Sequence, residues 1–464
     1  MPPGNKSSSN PQFIISTGPK KADPETRTLI RSHVMLGRNR RKKRQDSHGG
    51  TEMVNTLIGS HDDMSWARRC IFALPRKVGT DLSFTTFPDA IDPRAAAEAL
   101  SYTVEMSKAK YVLESCLIFD ELNSIWNDQL ALDAPLLQSV IFMVQTYFDL
   151  AGGRNNTSSS QIHLKTLQLL RQKLSFSDEK AQLADATVFV VVNLAIHAHI
   201  SGEHKSAKHH LEGIRRIVEL RGGLGEFTQT KLLIELHRCD IGMSLHTGTN
   251  PVFSSNDDHS RLPFPYPDEI SFPRETNKVF DGMEELDDEI VEVWDAMANF
   301  CSLINLAAEA GGRIRWELFL NTMTAVMYRL IHMSFDVGSV NEAIRLGLLG
   351  LSSHVFLQWK VVRTTYAHLR ACYRKCLDSA EDLDSIPTRV SSWLLMIGAV
   401  SVFERSDASW LRPRLRKNAM ACGFKSWHEI RDVVDPLMWI PLVQEKAGKD
   451  FYDSVFTPEP GSFP

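Results

Sequence analysis

The stretch "ATVFVVVNLAIHAHI", residues 186–200, decides the fold class, because it is the longest apolar run of the chain. Its many β-branched residues are compatible with a strand. However, a run of roughly sixteen residues without Gly or Pro is typical of a helix, and Asp185 precedes it as a candidate cap. We therefore predict a buried helix. The run is too short to span a bilayer and contains Asn193, so no membrane contact is expected.

Helical patterns continue on both sides of this run. "HHLEGIRRIVELRGG" (209–223) has apolar residues at helical spacing and a stop at Gly222, and a further helix is predicted from Pro135 to Gly152. A third helix is predicted from Pro93 through Cys116, and "QIHLKTLQLLRQKL" places Leu164, Leu167, Leu170 and Leu174 on one stripe. Similar patterns fill 286–310 and most of the chain beyond it, and no series of alternating strands and turns occurs. The predicted fold class is all-α, a multi-helix regulatory domain with a disordered basic N-terminal arm.

Charge is unevenly distributed along the chain. Residues 1–48 hold eleven Lys/Arg and three Asp/Glu, a balance of +8, whereas the remainder has a balance of −12. We predict an arm over residues 1–60 and a helical body over 61–464, interrupted by a proline-rich loop at 250–275. A basic arm on an acidic body indicates that the arm is the part that meets polyanions.

The arm contains two distinct features. Residues 24–36 are predicted to form a short amphipathic helix after Asp23, with Arg27 and Arg31 on its basic face. The run "RNRRKKR" (38–44) follows, and its basic residues are typical of a nuclear localisation signal or of a phosphate contact: Arg38, Arg40, Arg41, Lys42, Lys43 and Arg44. A solvated tail without a role is the alternative. Phosphate contacts give affinity for DNA but no choice of sequence.

Searches for catalytic and metal-binding motifs give nothing. The P-loop, H-E-x-x-H and G-x-S-x-G patterns are absent, so we expect neither an enzyme nor a cofactor. Five histidines lie within 197–210, but His197 and His199 should face different sides of one helix, so no metal site is predicted. The acidic segment 281–292 is interpreted as a solvated helix start, with a protein contact surface as the alternative.

Several segments resemble the second class of fungal-specific transcription factor domains. The resemblance is carried by "HHLEGIRRIVELRGGL" (209–224), "RCDIGMSLHTGTNPVF" (238–253) and "GFKSWHEIRDVVDPLMWI" (423–440), and the opening of the chain is similar to that of many members. The matching positions are His210, Gly213, Arg221, Gly222, Gly223, Leu224, Asp240, Trp427 and Trp439.

The resemblance implies a nuclear transcriptional regulator of a metabolic or secondary-metabolite gene set, with a helical body for regulation and dimerisation. Many members also carry a binuclear zinc cluster built by six cysteines. Here no cysteine precedes Cys70 and no C-x-x-C occurs, so DNA contact is expected mainly without sequence choice, through the arm. The expected partners are DNA, protein partners or a second copy, and a small-molecule effector. The alternative function is a helical scaffold, or a small-molecule sensor that does not bind DNA directly.

Overall fold

The computed structural model describes residues 109–118, 130, 132–152, 157–176, 178–227, 230–254, 286–360, 362–379 and 386–456. This part of the chain is all-α, as predicted. The one sheet among these residues is a parallel pair of two-residue strands, β1 (Leu117–Ile118) and β2 (Ile314–Arg315). The described residues belong to one compact unit, which spans Asp62–Pro464. The predicted arm, its helix at 24–36 and most of the proline-rich loop lie outside the described residues.

Within the described residues, six helices from Ala134 onward form the N-terminal part of the body. They are α1 (Ala134–Ala151), α2 (Thr157–Ser175), α3 (Glu179–Gln182), α4 (Asp185–Ile200), α5 (His204–Arg221) and α6 (Thr230–Thr247). The deciding run is helix α4, and it packs against α1 and α5. Almost all of its first eleven residues are buried, which explains why its sequence is apolar on every side rather than amphipathic.

Eight further helices form the C-terminal bundle. They are α7 (Asp288–Ala310), α8 (Trp316–His332), α9 (Val340–Phe356), α10 (Ala367–Ser379), α11 (Thr388–Ile397), α12 (Ala408–Cys422), α13 (Trp427–Met438) and α14 (Pro441–Phe456). A π-helical turn, Gly398–Val402, continues α11. The predicted solvated start of α7 is confirmed where it is described, since Asp287 caps the helix and Asp288 and Glu289 are exposed in its first turn.

Helix α6 is shared by the two hydrophobic cores. Its Leu232, Leu236 and Cys239 belong to the N-terminal core with α1, α4 and α5. Its Ile234 and Ile241 belong to the core of the C-terminal bundle. A helix with apolar contacts on two sides has little room for polar residues, so the polar side chains that α6 does bury are candidates for function.

Two local predictions were wrong in detail. Asp185 does not cap α4, because Ala184 is the N-cap residue and the Asp185 carboxylate binds Arg221 instead. The helix predicted through Cys116 ends near Ala109, and Glu114–Cys116 form a 3-10 turn before β1. The predicted leucine stripe lies on helix α2, where Leu164 is 59% exposed and Leu170 is 7% exposed.

In the part of the chain that the structure describes, two helical segments are long and apolar enough to cross a membrane by length and composition, Glu179–Ile200 and Asp288–Ala310. About half of each is buried inside the body, and core helices of soluble proteins pass the same test. The first segment is also interrupted at Leu183 and Ala184. The absence of membrane contact therefore stays a prediction from the sequence.

Candidate functional site

Helix α6 carries a buried cluster of charged side chains at the boundary between the two cores. The Glu235 carboxylate lies 3.4 Å from the Lys110 ammonium and 3.9 Å from the Arg238 guanidinium. All three side chains are 5% exposed or less. Arg238 also donates hydrogen bonds to the backbone carbonyls of Lys110 and Leu357, each at 3.1 Å. These bonds tie the chain before β1 and the end of α9 to α6.

Burial of the charge cluster costs free energy, so its presence suggests a role beyond packing. Desolvation lowers the pKa of Lys110, although Glu235 acts in the opposite direction. Removing one partner of a buried ion pair usually costs about 3–5 kcal/mol of stability, whereas apolar replacement of the whole pair is often neutral. A cavity of about 40 Å³ borders the cluster, lined in part by His199, Glu235, Arg238 and Tyr366. That volume holds solvent-sized molecules rather than an organic effector.

A larger cavity, of about 280 Å³, lies at the C-terminal end of α6. Its lining is mixed: apolar side chains such as Leu346 and Leu349 alternate with polar ones, among them Ser244, His332, Arg345 and His368. The Arg345 guanidinium already binds Glu342 and the Leu330 carbonyl, so it is not an available anion site. Desolvation raises the pKa of Cys372, which argues against a reactive thiolate. This cavity suits a small, largely neutral organic molecule.

Asp240, a position of the predicted family motif, organises the backbone after α6. Its carboxylate accepts the N–H groups of Val252 at 2.7 Å and Phe253 at 2.9 Å, and the Tyr328 hydroxyl at 3.1 Å. The side chain is 1% exposed, and burial raises the pKa of Tyr328 well above its usual value. Asp240 therefore anchors the backbone at Val252 and Phe253 next to Tyr328 of α8. This role is structural.

The Arg221 motif closes the hairpin of α4 and α5. The Arg221 guanidinium binds the Asp185 carboxylate, donates to the carbonyls of Leu183 and Glu226 at 3.2 Å, and lies 3.7 Å from the ring centre of Phe227. Gly222 and Gly223 end α5 with φ angles of 97° and 112°, so the predicted glycine stop is confirmed. Leu224 begins a 3-10 turn immediately afterwards.

The other motif residues lie at separate places. His210 and Gly213 lie on α5, and no atom of the described residues outside the helix backbone lies within 4 Å of the position that a Cβ of Gly213 would take. Trp427 and Trp439 pack in the C-terminal bundle with ring centres 6.0 Å apart, and the Trp427 indole donates to Glu445 at 2.9 Å. The motif residues do not converge on one pocket. The predicted arm residues, Arg27, Arg31 and 38–44, lie outside the described part of the chain.

The histidines separate into two groups, as the sequence predicted for His197 and His199. The His197 ring packs on Phe142 with ring centres 4.3 Å apart, and its two nitrogens lie 3.2 Å from the Thr146 hydroxyl and 3.3 Å from the Ser201 hydroxyl. The His199 ring instead faces His204 and His246, and one nitrogen from each of these three rings lies within 4.8 Å of the others. Burial, then neighbouring histidines, lower the pKa of both His197 and His199 to about 4.

Neither a family model, nor a curated protein, nor a solved structure matches this chain. The resemblance to fungal-specific transcription factor domains therefore stays a prediction from the quoted motifs.

Several residues of the site were missed in the sequence. Glu235 and Arg238 have i, i+3 spacing on α6, which is equally common on exposed helix faces, and Lys110 is more than a hundred positions away. His246 was also missed, because it lies outside the histidine-rich segment 197–210. One available signal was the charge within an otherwise apolar stretch, "LLIELHRCDIGM" (232–243).

Proposed function

We propose that the chain is a transcriptional regulator that acts in the nucleus, with the helical body as its regulatory part and the basic arm as its contact with nucleic acid or the import machinery. The observation that carries this proposal is the charge separation, +8 in residues 1–48 against −12 in the remainder. The order of the family-like motifs along the body supports it. The gene set would be a metabolic or secondary-metabolite one, as the resemblance implies.

The arm is tested by neutralising 38–44 in the full-length protein, with Gln at Arg38, Arg40, Arg41, Lys42, Lys43 and Arg44. Binding to a mixed-sequence duplex is followed by fluorescence anisotropy between about 50 and 200 mM salt. Six phosphate contacts give log K a slope of about −5 against log salt, and the Gln variant should lose most of that slope. Nuclear accumulation of a fluorescent fusion, measured in a eukaryotic cell, should fall in parallel.

A charge-conserving variant provides the matched control. It exchanges each Arg of 38–44 for Lys and each Lys for Arg, so that the charge stays while the residues change. It should bind and accumulate like the wild type, because a phosphate contact depends mainly on charge. Equal salt slopes for the wild type and the Gln variant would exclude the arm as the DNA contact.

A second candidate function, small-molecule sensing, is favoured by the 280 Å³ cavity at the end of α6. Its mixed lining and its position against α8, α9 and α10 would let a ligand stabilise one arrangement of these helices. Denaturing extraction followed by mass spectrometry should find an organic molecule that copurifies with the protein. Leu346→Phe, which narrows the cavity, should reduce its occupancy, whereas Leu220→Phe on the exposed face of α5 should not.

A further inference from the structure

Three imidazole rings from three different helices converge at the C-terminal end of α6. His199 lies in the last turn of α4, His204 is the first residue of α5, and His246 lies in the last turn of α6. One nitrogen from each ring lies within 4.8 Å of the other two. The rings of His204 and His246 are stacked with their centres 3.6 Å apart. The three side chains are partly buried, so the cluster is not a chance meeting of solvated residues.

The nitrogens of this cluster are unusual because they are buried and unpartnered. Both ring nitrogens of His199, Nδ1 of His204 and Nδ1 of His246 are inaccessible to solvent and have no hydrogen-bond partner among the described residues. Buried polar atoms normally find a partner, and each exception needs an explanation. A bound cation would give these lone pairs the partner that the protein does not provide.

His197 shows that the arrangement is specific to His199. Both residues lie on α4, two positions apart, and both are partly buried. The His197 nitrogens meet the hydroxyls of Thr146 and Ser201, as a structural histidine requires.

We propose that His199, His204 and His246 form a binding site for a divalent transition metal of the zinc class. Three imidazoles match the ligand preference of Zn²⁺ and its neighbours, whereas Mg²⁺ and Ca²⁺ require oxygen ligands. Bonds of about 2.0–2.1 Å to tetrahedral zinc would bring the nitrogens to roughly 3.3 Å from one another, a contraction within reach of side-chain rotation. Three protein ligands leave a fourth position for water or another small ligand.

The metal would connect the two cores of the body. It would link the turn between α4 and α5 to the C-terminal end of α6, which is the helix that both cores share. His199 also lines the 40 Å³ cavity beside Glu235 and Arg238 and stacks on Tyr366, with ring centres 5.9 Å apart. Metal binding would therefore order the wall of the buried charge cluster. This inference does not depend on the proposed role in transcription.

The test measures zinc binding by the full-length protein. Metal-free protein is dialysed against ZnCl₂, and bound zinc is quantified by elemental analysis, with one ion per chain expected. Co²⁺ should give the visible absorption bands of a tetrahedral site, and Mg²⁺ should not compete. Separate variants His199→Gln, His204→Gln and His246→Gln should each weaken binding by about tenfold or more. The matched control His209→Gln, at an exposed histidine of α5, should bind like the wild type.

Folding of each variant is checked by circular dichroism in EDTA. Zinc should raise the thermal midpoint of the wild type and of His209→Gln but not that of a folded ligand variant, because a metal stabilises only the state that binds it. A His246→Cys variant keeps a zinc ligand and should recover binding if His246→Gln fails to fold. The proposal is overturned if the wild type binds no zinc at micromolar concentration, or if the three ligand variants bind it as tightly as His209→Gln does.

Discussion

The C-terminal bundle and the seam of α4, α5 and α6 are both buried, but they are built on opposite principles. In the bundle, large rings pack against glycines, and a Cβ at Gly347 would lie 2.6 Å from the Trp393 ring. Trp294 and Trp393 meet with ring centres 5.1 Å apart. The seam instead encloses the charged cluster around Glu235 and two partly buried histidine groups, one of which brings three imidazole rings together.

This difference indicates where stability and where function reside. Close apolar packing stabilises a fold without further conditions. Buried charges and bare imidazole nitrogens cost free energy, so a protein that retains them needs a compensating partner or role. The seam is therefore the better place to look for a ligand, and the bundle is the better place to look for the source of stability.

The largest expected effect is the loss of a bundle tryptophan. Trp393 is fully buried, and its indole donates a hydrogen bond to the Met438 carbonyl at 2.9 Å. Trp393→Ala should lower the free energy of unfolding by about 3–5 kcal/mol, measured by urea denaturation. Leu220→Ala, at a 53% exposed position of the seam, is the control and should change it by less than about 0.5 kcal/mol. A similar loss of unfolding free energy in both variants would contradict the claim that packing in the bundle is the main source of stability.

A Gly→Ala substitution, which adds one methyl group, should have opposite effects on stability in the two regions. The Cβ of Gly347→Ala would clash with the Trp393 and Leu394 side chains, so the substitution should cost about 1–3 kcal/mol, although alanine is the better helix former. Gly213→Ala on α5 meets open space and should stabilise the protein by up to about 1 kcal/mol. Both effects are measured as shifts of the unfolding midpoint. Shifts of the same sign would refute the contrast in packing.

The Arg221 clamp gives a smaller effect in the seam. Arg221→Ala removes the partner of Asp185 and two bonds to backbone carbonyls, and it should lower the free energy of unfolding by about 1–2 kcal/mol. Arg221→Lys keeps the charge but not the forked geometry, so it should recover only part of that loss. Chemical denaturation compares the two, and full recovery by Lys would show that charge alone matters.

Acid should weaken the seam through its histidines. His197 and His199 have folded-state pKa values of about 4, below the ordinary 6.5, because burial disfavours the charged ring. The unfolded chain therefore binds protons first, and the free energy of unfolding should fall as pH drops from about 6.5 to 4, by on the order of 1 kcal/mol for each ring.

The acid effect is measured in metal-free buffer by urea denaturation across that pH range. His197→Gln should reduce the pH dependence, whereas His209→Gln, at an exposed position, should leave it unchanged. An unchanged slope in His197→Gln would show that the acid response originates elsewhere.

The sequence predicted the fold class well, because the length of an apolar run and the Gly or Pro residues that end it are local signals. The run at 186–200 is a helix despite its β-branched residues, and Gly222 ends α5 as predicted. Local patterns do not reveal which side of a helix finds a partner. Leu164 fits the stripe of α2 but is exposed. The side of α2 that packs against the body contains Thr166 and Leu170, which are both buried.

Most of the candidate site could not be predicted from the sequence. The buried cluster joins Lys110 to α6, and the histidine cluster joins His246 to residues more than forty positions earlier. The histidine-rich segment at 197–210 provides two of the three clustered histidines, and the third, His246, comes from another helix. A constellation assembled by tertiary packing has no spacing signature, in contrast to a motif such as H-E-x-x-H.

The Arg221 clamp also has a consequence for the time course of folding. It closes α4 on α5 through contacts fewer than forty residues apart, and contacts of such short range form quickly. The hairpin, with His199 and His204 already adjacent, can therefore assemble before α6 docks, and His246 arrives last. A metal-dependent signal in a refolding experiment would then report the time at which α6 docks. At that time the N-terminal part of the body and the C-terminal bundle are joined.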